Sequence, residues 1–480
     1  MRGCTSLQEL PHMNLISMKT LILTNCRSLQ NFRVISDNLE TLHLDGTAID
    51  QLPTNMVKLQ RLIVLNLKDC KMLVAVPECL GKLKALQELV LSGCSKLESF
   101  PIPIENMKSL QILLLDGTAT KEMPKIFQNS STVKDIRRVR HGMNGLSSLR
   151  RLCLSRNDII INLQIDISQL YHLKWLDLKY CKNLTSIPLL PPNLETLDAH
   201  GCEKLKIVAS PMALLILMEQ VNSKFIFTNC KKLEQVAKNS ITSYAQRKSQ
   251  LDALKCYEEG NISKALLTTC FPGSEVPSWF NHRTVGSALQ LKFPPHWCDN
   301  RLSTVVLCAV VAFPYNQDEV NRFSIKCTCE FKNEFGTNVR FSCILGGGWT
   351  EPRKIDSDHV FIGYTSSSHI TNHLEESLKS REHHQCVPTE ASIKFEVKDG
   401  AGEIVNCGLS LVYDEPNDVV VAGNRDGALT RRDVSIVGET ILSFAADVLR
   451  SSGKEQRRRV GKSIVVSEKR EEMKTISIWW

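Results

Sequence analysis

The apolar positions of the first half of the chain recur as Leu-x-Leu-x-x-Cys or a close variant. The pattern reads LILTNC (21–26), LHLDGT (42–47), LNLKDC (65–70), LVLSGC (89–94), LLLDGT (113–118), LCLSRN (152–157), LDLKYC (176–181), LDAHGC (197–202) and FIFTNC (225–230). Apolar residues two apart share one face of a short strand, and the residues between them face the other way. This register predicts Leu21/Leu23, Leu65/Leu67, Leu89/Leu91 and Leu176/Leu178 inside. The sixth position of each copy sits beside turning backbone, whose polar groups it must satisfy or tolerate. It is held by Cys26, Cys70, Cys94, Cys181, Cys202 and Cys230, by Thr47 and Thr118, and by Asn157.

Successive copies begin 21, 23, 24, 24, 39, 24, 21 and 28 residues apart. Most of these steps lie in the leucine-rich-repeat range of about 20–29 residues. Such units bury their apolar face only by stacking, and the stack is a solenoid with a long concave surface suited to binding. The outward residues of that surface are Thr41, His43, Asp45; Val64, Asn66, Lys68; Glu88, Val90, Ser92; Arg151, Ser155; Trp175, Asp177, Lys179; Thr196, Asp198 and His200. The candidate protein-binding set is Thr41, His43, Asp45, Asn66, Lys68, Glu88, Ser92, Arg151, Trp175, Asp177, Lys179, Asp198 and His200. Trp175 is a large aromatic flanked by Asp177 and Lys179, the composition of a hot spot with a polar surround. The plainer alternative packs it against neighbouring repeats.

The 39-residue step places an insertion between Thr120 and Leu146, including the basic KDIRRVRH (134–141). It reads as a partner-contacting loop or as a solvated variable one. Cys4, with CTSLQELP, continues a repeat whose strand leucines are missing. The chain therefore reads as starting inside a repeat: a truncated product, a partial gene model or a degenerate paralogue. After the repeats, LEQVAKNSITSYAQRKSQLDALKCYEEG (233–260) has a helical, polar pattern. Alternating runs follow: ALQLKF (288–293), TVVLCAVVAF (304–313), FSIKCTCEF (323–331), VRFSCIL (339–345), HVFIGY (359–364), SIKFEV (392–397) and CGLSLVY (407–413). Short strands at such spacing predict an all-β sandwich. The expected fold is thus an α/β leucine-rich-repeat solenoid followed by a sandwich. Its parts are the solenoid at 1–235, a helical connector at 236–265, the sandwich at 266–414 and a charged, partly disordered tail at 415–480. The tail holds an amphipathic stretch (439–452) and a basic run (454–462).

Composition changes this picture little. The 480 residues are 42% hydrophobic and 23% charged, with a formal net charge of +8. That charge is mild for the size, and the outward strand positions mix both signs, so nucleic acid is not an expected partner. No apolar run reaches the ~18 residues of a membrane span, and MRGCTSLQELP has no continuous apolar segment of a secretory signal. Many of the 18 cysteines fall at buried repeat positions. Free thiols there favour a reducing compartment. A cytoplasmic location is expected, with the basic run as a nuclear alternative. No cofactor is expected. Cys327, Cys329, Cys343, His383, His384 and Cys386 match no paired zinc-ligand spacing. Two cysteines one residue apart on a strand share a face and can simply pack. No catalytic signature stands out; Gly346-Gly347-Gly348 lacks an accompanying G-x-S-x-G elbow.

CFPGSEVPSWF (270–280), Gly286, PPHWCDNRL (294–302), LCAVVAF (307–313), SDHVFIGY (357–364) and VNCGLSLVY (405–413) occur in that order. This series resembles the post-repeat domain, called the C-terminal jelly-roll/Ig-like domain, of plant TIR-type nucleotide-binding leucine-rich-repeat immune receptors. The alternation of GC and DGT turns in the repeats looks like the same family. The resemblance implies a jelly-roll/Ig-like sandwich and a sensor that recognises a pathogen effector protein in the defence response. It also implies full-length immune receptor chains as further partners. An alternative role is a truncated scaffold or decoy associating with such receptors. The family's NAD-cleaving and nucleotide-binding activities do not transfer. Gly461-Lys462-Ser463 mimics the end of a phosphate loop, but its leading glycine position is Gln456. The expectation is a binding protein, not an enzyme. Trp279, Phe280 and Trp297 are expected to pack in a core.

Overall fold

The structure, a computed structural model, describes residues 2–10, 16–34, 36–102, 107–120, 148–163, 167–191, 193–209, 223–259, 266–293, 302–314, 323–332, 338–346, 349, 353–366, 389–398 and 400–413. The chain forms two compact units, Met1–Glu415 and Pro416–Trp480. The second lies outside the described residues, as do the insertion at 121–147, His383, His384, Cys386, Trp297 and both tail segments.

Each quoted repeat contributes one short strand: β1 (Thr20–Ile22), β2 (Thr41–His43), β3 (Val64–Asn66), β4 (Glu88–Val90), β5 (Ile112–Leu114), β6 (Arg151–Cys153), β7 (Trp175–Asp177), β9 (Thr196–Asp198) and β11 (Lys224–Ile226). Two further strands, β8 (Ser186–Ile187) and β10 (Ile207–Val208), pair on the return side. The nine repeat strands are parallel, and their central leucines or phenylalanine are in register: Leu21, Leu42, Leu65, Leu89, Leu113, Leu152, Leu176, Leu197 and Phe225. β5 and β6 are direct neighbours, so the long step between them costs the sheet no strand. Every leucine predicted inside is buried.

The α/β expectation for the repeats needs correction. Among the described residues the return segments are extended or 3-10, as at Thr54–Lys58, Glu78–Lys82 and Ile167–Gln169. A repeat of about two dozen residues leaves little chain for a return α-helix, and prolines at 53 and 77 set an extended backbone before each tight turn. The α-helix described, α1 (Gln235–Glu259), follows the last repeat, over the segment whose pattern is helical. Its Tyr244 stacks on Phe225 at 4.9 Å and shares a 2.8 Å hydrogen bond with Ser223.

The turn after each strand explains where glycine recurs among the repeats. The residue before each ladder position is left-handed: Asn25, Gly46, Asp69, Gly93, Gly117, Arg156, Tyr180, Gly201 and Asn229. A Cβ added at Gly46, Gly93 or Gly201 would lie within 3 Å of the Asn25, Asp69 or Tyr180 side chain of the preceding repeat. A side chain at one turn therefore calls for glycine at the next. Where this fails, Arg156 and Tyr180 stack instead, the guanidinium 5.5 Å from the ring centroid.

The ladder thiols are free and buried. Cys70, Cys94, Cys181, Cys202 and Cys230 each donate to the carbonyl just past the strand of the preceding repeat, at 3.1–3.2 Å. Thr47 and Thr118 instead bond carbonyls of their own repeats, Leu44 and Leu115. Burial pushes the Cys94 and Cys181 thiols up to about 12, which keeps them protonated and unreactive. Mass spectrometry after denaturing, non-reducing alkylation should find the six ladder cysteines fully labelled. Specific disulfides among them would contradict the ladder.

Beyond α1 come β12 (Leu266–Pro272), β13 (His282–Val285), β14 (Ala288–Lys292), β15 (Leu302–Ala312), β16 (Ser324–Lys332), β17 (Asn338–Leu345), β18 (His359–Ser366), β19 (Glu390–Lys398) and β20 (Glu403–Tyr413). They form two antiparallel sheets, β12-β18-β15-β20-β13 and β14-β19-β16-β17. Between them lie Leu289, Leu307, Ile325, Phe361, Phe395 and Leu409. Cys327, Cys329 and Cys343 pack in this core; among the described residues no group of three or more His, Cys, Asp or Glu could hold a metal ion. Phe280 is buried and stacks on Trp279. Among the described residues no helix is long and apolar enough to cross a membrane.

The solenoid and sandwich share one sheet. β11 pairs with β12 in parallel, and β12 pairs with β18 antiparallel. β15 is consequently buried on both faces. Val305, Leu307 and Ala309 face the sandwich core, while Val306, Cys308 and Val310 join the core that runs through the repeats. This two-sided burial accounts for the unbroken apolar run TVVLCAVVAF.

His359 clamps the junction. The Asn229 backbone N–H donates to its Nε2 at 2.9 Å, so Nδ1 carries the proton and donates to the Ser357 carbonyl at 2.7 Å. Burial lowers this histidine from 6.5 to about 4; Asp356 opposes the shift and Lys238 adds to it. The folded state thus binds the proton less well than the unfolded chain. Its contribution to stability is complete above about pH 6.5 and is lost as pH falls towards 4, by about 3 kcal/mol in all. Denaturant titrations across pH 7 to 4 should show this loss, and His359→Gln, which still accepts a hydrogen bond without titrating, should flatten it. Identical pH profiles for the two proteins would remove His359 from the junction's energetics.

Candidate functional site

The concave face is built by the period of two. The inward leucines fix the register, so the flanking residues of every repeat strand must face out. Three rows result. The first runs Thr20, Thr41, Val64, Glu88, Ile112, Arg151, Trp175, Thr196, Lys224, and the second Ile22, His43, Asn66, Val90, Leu114, Cys153, Asp177, Asp198, Ile226. The third follows the strands and includes Asp45, Lys68, Ser92, Asp116, Ser155, Lys179 and His200.

At the N-terminal end, His43, Asp45 and Asn66 form one polar network. Asn66 Nδ2 lies 3.2 Å from His43 Nδ1 and 3.4 Å from Asp45 Oδ1, which also accepts from Thr24 at 3.0 Å. The Asn66 carboxamide oxygen accepts from the Lys68 backbone N–H, leaving the Lys68 side chain exposed. The same Asx turn recurs where Asp177 accepts from Lys179 N–H and Asp198 from His200 N–H. Thr41 and Glu88 are half-buried. Ser92 is buried and donates to Asp116.

The middle of the face is more apolar than the candidate set suggests. In the fifth repeat Ile112 stands between Glu88 and Arg151, and Leu114 between Val90 and Cys153; neither is in the candidate set. Their signal was present: LLLDGT has the same register as every other copy.

Trp175 projects outward, 42% exposed, between Arg151 and Thr196. Arg151 is exposed. Below them, Lys179 Nζ is 3.1 Å from the Asp177 carboxylate. Burial raises Asp177 above its ordinary value; Lys179 counters this and the Asp198 charge adds to it. Beside this pair the face ends at a wall. Arg353, from the sandwich, makes a bidentate ion pair with Asp198 and stacks on Trp349, 5.2 Å from the ring centroid. Asp198 is therefore covered, and His200 is buried with Nδ1 2.6 Å from Thr228 Oγ1. These two point as predicted but offer no surface to a partner. Arg353 is 155 residues away from Asp198, and the repeat pattern holds no sign of it.

This arrangement provides shape, mixed charge and one exposed aromatic. It is suited to binding a protein surface.

A family described as the C-JID domain matches residues 271–418. The chain is 48% identical over 450 residues to "Disease resistance protein RPS4" of Arabidopsis thaliana, covering 92% of this chain and 34% of that protein. It is 50% identical over 428 residues to "Disease resistance protein RPS4B" of the same plant, covering 86% of this chain and 34% of the relative. The chain thus spans about a third of the length of these relatives. Among solved structures, the leucine-rich repeat domain of the type III effector XopL aligns with a TM-score of 0.34 and 21% identity, over 42% of this chain and 65% of that one. The chain matches a part of plant disease resistance proteins, C-JID domain included, as its motifs imply.

Proposed function

We propose that this chain is the recognition part of a plant intracellular immune receptor, binding a pathogen effector protein on the concave face of its repeats. The observation that carries the reading is the uninterrupted register of nine strands, which presents Arg151, Trp175 and Lys179 on one face beside the sandwich. The similarity to disease resistance proteins supplies the biological context. The sandwich is assigned as the jelly-roll/Ig-like domain on the strength of the C-JID match and its two antiparallel sheets. Residues 1–235 and 266–414 are the two recognition modules. The role is binding, not catalysis, and the location is cytoplasmic or nuclear.

Pulldowns with candidate effectors and with full-length receptor chains test this. Capture of an effector that survives washing at physiological salt supports the sensor reading. Capture of receptors alone, with no effector bound, supports the scaffold or decoy instead.

A further inference from the structure

The first row of the concave face ends in a strip of four residues on hydrogen-bonded neighbours: Arg151, Trp175, Thr196 and Lys224. Two cations flank an exposed indole. Adjacent strands lie about 4.8 Å apart, so the two cations stand about 14 Å apart across three strand spacings.

The charges around the strip are unbalanced. Each nearby carboxylate is already matched: Asp177 by Lys179, Glu195 by Lys174 at 2.6 Å, and Asp198 by Arg353. Arg151, its exposed neighbour Arg150 and Lys224 have no carboxylate partner among the described residues. The nearest outward acid in the row is Glu88, two strands beyond Arg151. The strip therefore carries surplus positive charge around an apolar centre.

We infer that this strip binds an extended acidic segment of a protein partner, with an apolar side chain on Trp175 between carboxylates at Arg151 and Lys224. An extended chain rises about 3.3 Å per residue, and alternate side chains share a face. Residues four apart then sit about 13 Å apart, close to the separation of the two cations. The residue midway falls between Trp175 and Thr196. The recognised pattern is acidic-x-apolar-x-acidic. A nucleic acid fits less well, because a continuous line of phosphates needs a continuous line of cations, and here Trp175 and Thr196 separate the two. The inference rests on the protein-binding reading of the concave face and specifies the chemistry of its partner.

The test uses the full chain and labelled 13-residue peptides in fluorescence anisotropy. One peptide has Asp-Ser-Leu-Ser-Asp at its centre, a second has lysine in place of both aspartates, and a third probe is oligothymidine. The acidic peptide should bind at least tenfold tighter than the basic one, and more weakly as salt rises. Arg151→Glu/Lys224→Glu should reverse that preference. Arg151 is exposed and Lys224 half-buried, so thermal melting of this variant is run alongside, and it should match the wild type. Trp175→Ala should weaken the acidic peptide at least tenfold. Equal binding of the two peptides, an unaltered preference in the charge-reversed protein, or tighter binding of oligothymidine would overturn the inference. An effector whose binding falls with Trp175→Ala but not with Arg151→Glu/Lys224→Glu would refute the acidic strip and leave the concave-face reading standing. Insensitivity to both variants would remove both.

Discussion

Leu89→Asp is expected to unfold the middle of the solenoid. Leu89 is fully buried at the centre of β4, in register with Leu65 and Leu113. Truncating a buried leucine costs about 2–5 kcal/mol. A carboxylate in its place adds the penalty of a buried, unpaired charge, so the total should exceed about 4 kcal/mol. Repeat stacks depend on nearest-neighbour interfaces, and both interfaces of this repeat would be damaged. Circular dichroism should show a lowered, broadened thermal transition. Part of the loss should be recovered at acid pH, where the introduced carboxyl is neutral. The neighbouring Glu88→Ala is the control; it should change stability by no more than about 0.5 kcal/mol. An unchanged melt for Leu89→Asp would mean that the register is wrong.

Asp198→Ala should damage the junction of solenoid and sandwich. Arg353 has only 2% of its side chain exposed, and Asp198 12%. Removing one partner of a buried pair leaves the other charge uncompensated and costs about 3–5 kcal/mol. The Asx turn to His200 is lost with it. Replacing both residues by apolar ones, Asp198→Leu with Arg353→Met, should recover most of the stability, because the buried charge goes too. Denaturant unfolding of the two single variants and the double variant gives the coupling directly. A cost below about 1 kcal/mol for Asp198→Ala would show that Arg353 reaches water in solution.

Much of this was legible locally. The Leu-x-Leu spacing predicts the inward register, and the sixth position predicts the buried thiols, because both depend on neighbours within a repeat or one repeat away. Seven strand-like runs of the sandwich correspond to β14 through β20. The unread features depend on distant contacts. Nothing near Asp198 announces Arg353, and nothing near Asn229 announces His359. β12 and β13 fall outside the strand-like runs; β12 lies between the last repeat strand and β18. The run of β15 held a signal, since an unbroken apolar strand implies burial on both faces, but only the structure shows which two cores it serves. The left-handed turns at Arg156 and Tyr180 are readable from their phase with Gly46, Gly93 and Gly201, although neither residue type favours that conformation.

The central claim is that the concave face reads a protein partner, and Trp175→Ala tests it most directly when measured twice, by thermal melting and by binding to a captured effector. An exposed hot-spot aromatic costs about 2 kcal/mol or more in binding when truncated, whereas a structural tryptophan costs about 3–5 kcal/mol in folding. The account predicts binding at least tenfold weaker with the melt unchanged. A collapsed melt, or binding that is untouched, would contradict it.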